Sequence, residues 1–368
     1  MDKMYRDLED LEETQNFLID LVICCGDFQS IRNETDLASM AVIRKHRKMG
    51  DFHKYYTGKA TAPYLTIFVG GNHESSNYLW ELPFGGWVAE NIYYMGYSNV
   101  IEFMGIRIGG LSGIYKSYDY AKGHIERPPF NDNSIRSVYH IRHFDVTKMK
   151  MMKDIDILVS HDWPNGIWNH GDCKKLLQIK KHFTKDIREN NFGCKGLMEV
   201  LNTVKPTHYV CAHMHVYFPA TVSHGDKDTD FMALDKPIHG RKYFDILNIE
   251  SKSDSKFISY IPEWLAITKL YAAHHFKESN QLPNFTFPDK AFVDSIVEKF
   301  GDLAIRPSTS LGSNPKENLK EELGFNSQTE DFCNKLKIKN PCSANRNLFS
   351  DLAENLIQEK NSPSKSKE

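Results

Sequence analysis

The apolar positions of the chain fall into runs of differing period, and each period predicts a different element. Met4, Leu8, Leu11 and Phe17-Leu18 recur amid Asp and Glu, which predicts an amphipathic surface helix over residues 3–16. Ile19 to Cys25 is continuously apolar, the pattern of a parallel strand buried on both faces. Leu65 to Val69, Ile155 to Val159 and Tyr209 to Cys211 read as further buried strands, and Phe231 to Leu234 and Phe244 to Ile249 as late ones. Shorter strands are predicted at Ile92–Tyr94, Asn99–Phe103 and Ile106–Leu111, with Met104-Gly105 turning a hairpin between the last two; Leu82 to Trp87 reads as a loop. Cys173 to Glu189 and Gly196 to Thr203 read as helices, as do Glu263–Phe276, Asp289–Phe300 and Gln328–Ile338.

Four of the strands end in chemistry. The ends read Gly26-Asp27-Phe28-Gln29, Gly70-Gly71-Asn72-His73-Glu74, Ser160-His161-Asp162 and Ala212-His213-Met214-His215. Open α/β sheets carry their sites at the carboxyl ends of strands. Two divalent ions roughly 3.5–4 Å apart need a bridging oxygen, terminal N or O ligands and an open face. Asp27 can bridge, Asn72, His161 and His213 can complete one site, and a turn must direct His215 to the other. His73, beside a ligand, is placed to touch a phosphate and protonate a leaving oxygen. Singly each motif reads as a polar turn; in this order they predict a metallophosphoesterase, for which Fe, Zn and Mn suit the ligands, as one ion or two.

Composition narrows the class only a little. Charged residues at 26% and a net charge of −2 describe a globular chain without a global basic field, so any nucleic-acid site must be a local patch. Seven cysteines without a Cys-x-x-Cys pair read as reduced thiols, which predicts cytosol or nucleus, and neither a membrane span nor a signal peptide is predicted. The cluster Arg44 to Lys48 reads as a solvated helix face. Residues beyond Pro341 are rich in Asn, Ser and Lys and read as a disordered tail.

Ser112 to His143 has no clear period but carries Tyr115, Tyr118, Tyr120 and Tyr139 interleaved with Lys116, Lys122, Arg127, Arg136 and Arg142. Long irregular insertions in compact domains are usually functional. Tyrosines that stack on splayed bases, with cations for the backbone, suit single-stranded RNA.

Taken together, the chain resembles the RNA lariat debranching enzymes of intron turnover. The similar stretches are Cys24 to Gln29, Arg32-Asn33-Glu34, Gly70 to Ser76, Glu81 to Tyr94, Ser112 to Ser117, Pro128-Pro129, Ser160 to Pro164 and Ala212 to His215, with Leu234-Asp235-Lys236 and Gln328 to Cys333 further on. The resemblance implies a four-layer α/β sandwich over residues 1 to about 250, with 112–143 as a lariat recognition loop. A helical C-terminal domain would follow over 251–340 and the tail over 341–368. It implies hydrolysis of the 2′–5′ phosphodiester at an intron branch, branched RNA as partner together with spliceosome-associated proteins, and nuclear residence. Tyr115, Lys116, Ser117, Tyr118, Arg136, Tyr139 and His140 become candidate RNA contacts. The family also has a first strand ending in an Asp-x-His type motif, with Cys often in place of Asp. Met1 to Tyr5 resembles the segment just after it. Only Asp27 and His215 of the second ion's ligands are then expected here, and weak or absent debranching by the chain as written. A phosphatase acting on protein or nucleotides, and a non-catalytic binder of branched RNA or splicing factors, remain as alternatives.

Overall fold

The computed structural model describes residues 1–277, 282–307 and 326–343. From residue 344 on, the expected tail lies outside the described residues. Among the described residues eleven strands form two sheets: β1 Val22–Cys24, β2 Thr66–Phe68, β3 Gly86–Ala89, β4 Ile92–Tyr94, β5 Ser98–Phe103, β6 Ile106–Leu111, β7 Ile157–Ser160, β8 His208–Cys211, β9 Phe218–Ser223, β10 Asp228–Ala233 and β11 Ser259–Tyr260. The smaller sheet has the order β1-β2-β4-β3 and the larger β11-β5-β6-β7-β8-β10-β9. β1, β2 and β4 run parallel, as do β6, β7, β8 and β10. Their carboxyl ends therefore share one rim in each sheet.

The sheets pack face to face. Ile67, Trp87 and Tyr93 from the small sheet meet Ile101, Ile108, Ile157, Val159 and Val210 from the large one. The outer face of the small sheet, with Phe68, Ile92 and Tyr94, is covered by Tyr5 and Leu8 of the helix Asp2–Gln15 and by Phe52, Tyr55 and Tyr78. Leu158, Tyr209 and Phe231 on the far side of the large sheet lie under the helices His143–Met151, Lys195–Val204 and Pro262–His275. This is the four-layer sandwich expected. The helix Pro262–His275 also gives Leu265 and Ala266 to a separate core with Phe300 and Phe332 of the C-terminal helices Lys290–Phe300 and Ser327–Leu336.

Several local expectations needed correction. β1 is half-buried along its length rather than buried on both faces, because it lies at the edge of its sheet. β3 begins inside the stretch read as a loop, and the helix expected over 173–189 breaks into Cys173–Ile179 and Phe183–Arg188. Phe244 to Ile249 forms no strand; Leu247 and Ile249 pack against the inter-sheet core without a strand partner. β9 has no continuous apolar run to predict it, since its buried Phe218, Ala220 and Val222 alternate with exposed Pro219, Thr221 and Ser223. A proline within a strand usually argues against one, but β9 is an edge strand, where a missing N–H is tolerated.

Two buried polar joints hold the layers in register. Arg32 forks onto Asp36 (Nε 2.7 Å, Nη2 3.0 Å) and onto Glu81 (3.0 and 3.1 Å), with its guanidinium 3.8 Å over the Tyr78 ring. It ties the chain after Asp27 to the helix Ser76–Trp80. The second joint links segment 112–143 to the C-terminal helix. The N–H groups of Gly123 and His124 donate to the carbonyls of Lys277 and His275 (3.2 and 3.0 Å), and the His124 ring stacks on Tyr97 at 3.8 Å. Asp145 accepts from His124 Nε2 (2.6 Å) and Ser98 Oγ (2.8 Å), with Lys148 Nζ at 3.5 Å.

Both joints make measurable claims. Arg32→Ala removes the guanidinium shared by two buried carboxylates and is expected to cost about 3–5 kcal/mol in urea unfolding; a loss under about 1 kcal/mol would show that the fork is not needed. Burial pushes the His275 imidazole well below its ordinary value, with Asp145 opposing and Lys148 and Arg127 adding; His124 is lowered by burial in the same way. Folded protein therefore resists a proton that unfolded chain accepts from about pH 6.5 downward. Stability is full above that pH and falls below it, by up to about 1.4 kcal/mol per pH unit for each histidine. Melting temperatures from pH 8 to 5 should show the decline, and His275→Phe should flatten it; equal slopes in both proteins would contradict this.

Candidate metal centre and substrate face

Asp27 and Asn72 sit on turns packed so closely that only glycine fits beside them. A Cβ on Gly71 would lie 2.2 Å from Asp27 Oδ1, and one on Gly26 would lie 2.4 Å from His161 Nδ1. Gly26 takes φ 97° and Asp27 itself φ 52°, a left-handed turn that aims the carboxylate back across the strand end. The Asp27 carboxylate accepts from the His73 N–H (2.8 Å), and its oxygens lie 3.4 Å from His73 Nδ1 and 3.4 Å from His161 Nε2.

Glu74 locks the two turns together. Its buried carboxylate accepts from the N–H groups of Phe28 (2.8 Å), Gln29 (2.8 Å) and Gly71 (3.0 Å). Burial and then the Asp27 charge push its pKa up to about 7, while the three N–H donors pull it down. Burial also opposes ionisation of Asp27, but the neighbouring His161 and His73 imidazoles and the His73 N–H outweigh it and leave Asp27 below its ordinary value.

The remaining donors are fixed from behind. His161 Nδ1 donates to the Cys25 carbonyl (2.7 Å), which leaves Nε2 as a free lone pair 3.2 Å from Asn72 Oδ1. His213 lies with its ring 4.9 Å from that of His161, and burial pushes its pKa down to about 3, so it offers neutral imidazole. An extended strand would put positions 213 and 215 on one face. Instead both take left-handed backbone (φ 61° and 52°), and Trp163 Nε1 braces the turn by donating to the Ala212 carbonyl (2.7 Å). His215 is half-buried and within reach of the Asp27 charge.

Asp27, Asn72, His161 and His213 therefore present carboxylate, amide oxygen and imidazole nitrogen to one small space, a donor set that fits a borderline divalent ion. A bound ion would supply charge stabilisation for a phosphoryl group and activation of water. Another group, His124, Asp145 and His275, brings ligand-type atoms within 4.8 Å of one another. There Ser98, His124 and Lys148 already occupy the carboxylate, and the Lys148 ammonium disfavours a second cation.

Segment 112–143 is seated on the centre. Gly70 N–H donates to Ser112 Oγ (2.8 Å), Gly113 N–H to the Gly70 carbonyl (2.8 Å), and Tyr115 N–H to Asp162 Oδ2 (2.8 Å). Lys116, Ser117, Tyr118 and Arg136 are exposed, Tyr118 at 67%, while Tyr115 and Tyr139 are half-buried. Tyr139 lies within reach of the Asp27 charge. His140 differs from the rest of the candidate RNA contacts. It is buried, with Nδ1 2.7 Å from Asp119 Oδ2, which makes it an internal support of the segment. The supporting roles of Glu74, Asp162 and Trp163 carry no signal in the sequence beyond a place within two residues of a predicted ligand.

Residues 2–217 match the calcineurin-like phosphoesterase family, and residues 226–341 match the lariat debranching enzyme C-terminal domain. The chain is 42% identical over 361 residues to a lariat debranching enzyme of Gallus gallus, covering 90% of this chain and 67% of that protein. It is 48% identical over 278 residues to that of Homo sapiens, covering 73% and 51%, and 47% identical over 274 residues to that of Arabidopsis thaliana, covering 74% and 66%. The chain thus spans between about half and two thirds of the length of these relatives. With both regions matched and the identity sustained over most of its length, the chain belongs to the lariat debranching enzyme family, within the calcineurin-like phosphoesterases.

Proposed function

We propose that the protein hydrolyses the 2′–5′ phosphodiester at the branch of excised intron lariat RNA, giving linear RNA, and that it does so in the nucleus beside spliceosome-associated proteins. Fe, Zn or Mn, as one ion or two, is the proposed cofactor. The observation that carries the reading is the seating of an aromatic and basic segment directly on the Gly70 turn, with Tyr139 in reach of Asp27. A phosphatase for small monoesters has no use for such a wall, whereas splayed bases stack on tyrosine and phosphates bind Lys116 and Arg136. The relatives that support the reading are themselves named lariat debranching enzymes.

In this reading each residue has a defined task. The His73 side chain is 42% exposed and faces the open side of Asp27, where it can touch the scissile phosphate and protonate the departing oxygen. Asp27 holds that imidazole and is itself held by Glu74 through the neighbouring backbone. Exposed Tyr118 and half-buried Tyr115 and Tyr139 grip the bases that flank the branch.

With Mn2+ supplied, release of a 2′–5′ branch by the wild-type chain, whatever its absolute rate, should fall by about 10²–10⁴ in His73→Ala. Affinity for branched RNA should stay within about twofold, since base stacking carries most of the contact. Turnover of nucleotide monoesters with none of branched RNA would overturn the reading. Glu74→Ala should leave the sheets intact by circular dichroism but weaken Mn2+ binding by about 10–100-fold in a competition titration; unchanged affinity would show that the two turns hold their geometry without it.

A further inference from the structure

The rim of the large sheet has a second basic element that the proposed function does not use. Parallel strands β6, β7, β8 and β10 end side by side at Leu111, Ser160, Cys211 and Ala233. Segment 112–143 leaves from β6, His161 follows β7, and His213 and His215 follow β8. From β10 the chain enters Leu234-Asp235-Lys236, held to the rim by the Leu234 N–H donating to the Cys211 carbonyl at 2.9 Å. The candidate ligands therefore sit between two loops that emerge from strands about 14 Å apart, three strand spacings.

The β10 loop closes on itself: Asp235 N–H donates to the Lys242 carbonyl at 3.0 Å, and Asp235 Oδ2 accepts from Arg241 Nη1 at 3.0 Å. Lys180, at the end of the helix Cys173–Ile179, joins this group: Asp235, Arg241 and Lys236 all act on its ammonium. Lys236 and Lys180 are also close enough to the His215 imidazole for their charges to act on it. Arg241 is paired with Asp235, and the Lys236 N–H donates to the same carboxylate at 2.8 Å, so the charges of Lys180 and Lys236 are left as an excess of two beside the centre. Lys242, by contrast, is paired with Asp245. Among the described residues no acid lies within ion-pair distance of Lys180 or Lys236. Like charges gathered this way repel one another unless an anion joins them.

We propose that Lys180, Lys236 and Arg241 form a phosphate-binding subsite for a single-stranded RNA arm that leaves the branch on the His215 side of the centre, across from segment 112–143. The inference rests on the branched-RNA reading and deepens it. The bases of one arm lie on the tyrosines, and the backbone of the other crosses the β10 loop. Its contacts are to phosphate, so it adds affinity without sequence preference.

The test uses the full chain in EDTA, so that binding is read without turnover, and two branched RNAs. One carries arms several nucleotides long, and the other is trimmed to the branch nucleotides. Each lysine that neutralises a phosphate of a single strand adds about 0.7 to the slope of log Kd against log salt. For the long-armed RNA, Lys180→Gln/Lys236→Gln should lower that slope by about 1.4 and weaken binding about tenfold at low salt. The trimmed RNA should change less than about twofold, because it does not reach the subsite. Lys236→Gln alone, at an exposed position, should show about half the slope change and guards against misfolding of the double variant. Normal wild-type binding with an unchanged slope in both variants, or an equal loss on both RNAs, overturns the subsite and leaves the branched-RNA reading standing. Wild-type protein that binds neither RNA overturns both.

Discussion

One buried carboxylate makes the site possible. Glu74 gathers the N–H groups of Phe28, Gln29 and Gly71, and so fuses the turn after β1 to the turn after β2. Burying a carboxylate is unfavourable unless its oxygens are fully bonded. Here the acceptors are satisfied by backbone that would otherwise be unpaired in a left-handed turn. The glycines at 26 and 71 then follow as necessities of close approach, since a side chain at either would overlap Asp27 or His161. Function and local strain are the same feature here: φ stays positive at Asp27, His213 and His215 because the turns around them are over-determined.

The layers supply the rigidity that this closeness needs. Parallel strands deliver their carboxyl ends to one rim of each sheet, and the inter-sheet core of Ile67, Ile108, Val159 and Val210 sets the rims against each other. Arg32 fixes the two loops of the small sheet to one another, and the His124–Asp145 joint fixes segment 112–143 to the C-terminal helix. Gln328 adds a further tie, pairing with both the N–H and the carbonyl of Trp87 on edge strand β3. The C-terminal helices are thus bonded both to the small sheet and to the segment proposed to hold RNA. That gives them a mechanical part in the site although they contribute no ligand to it.

Much of this was legible in sequence, for a definite reason. Metal-type ligands at the ends of apolar runs announce themselves because residue type and position are both unusual, and Asp27, Asn72, His73, His161 and His213 are brought together by the fold. What sequence could not show was which polar residues face inward. His140 and Tyr118 stand in one tyrosine-rich segment and look alike as RNA contacts, yet Asp119 draws His140 into the interior and leaves Tyr118 67% exposed. Edge strands were equally opaque: β9 carries a proline that only its edge position excuses, and Leu247 and Ile249 are apolar without pairing. The basic cluster at Lys180, Lys236 and Arg241 spans some sixty positions of sequence and exists only because β10 inserts between β8 and β9.

The central claim is that Asp27, Asn72, His161 and His213 form a metal-binding centre around the fused turns. Anomalous diffraction from crystals soaked in Mn2+ tests it most directly. The account predicts a peak bounded by those four side chains, absent in Asp27→Asn. No peak there, or a peak among His124, Asp145 and His275 instead, would contradict it.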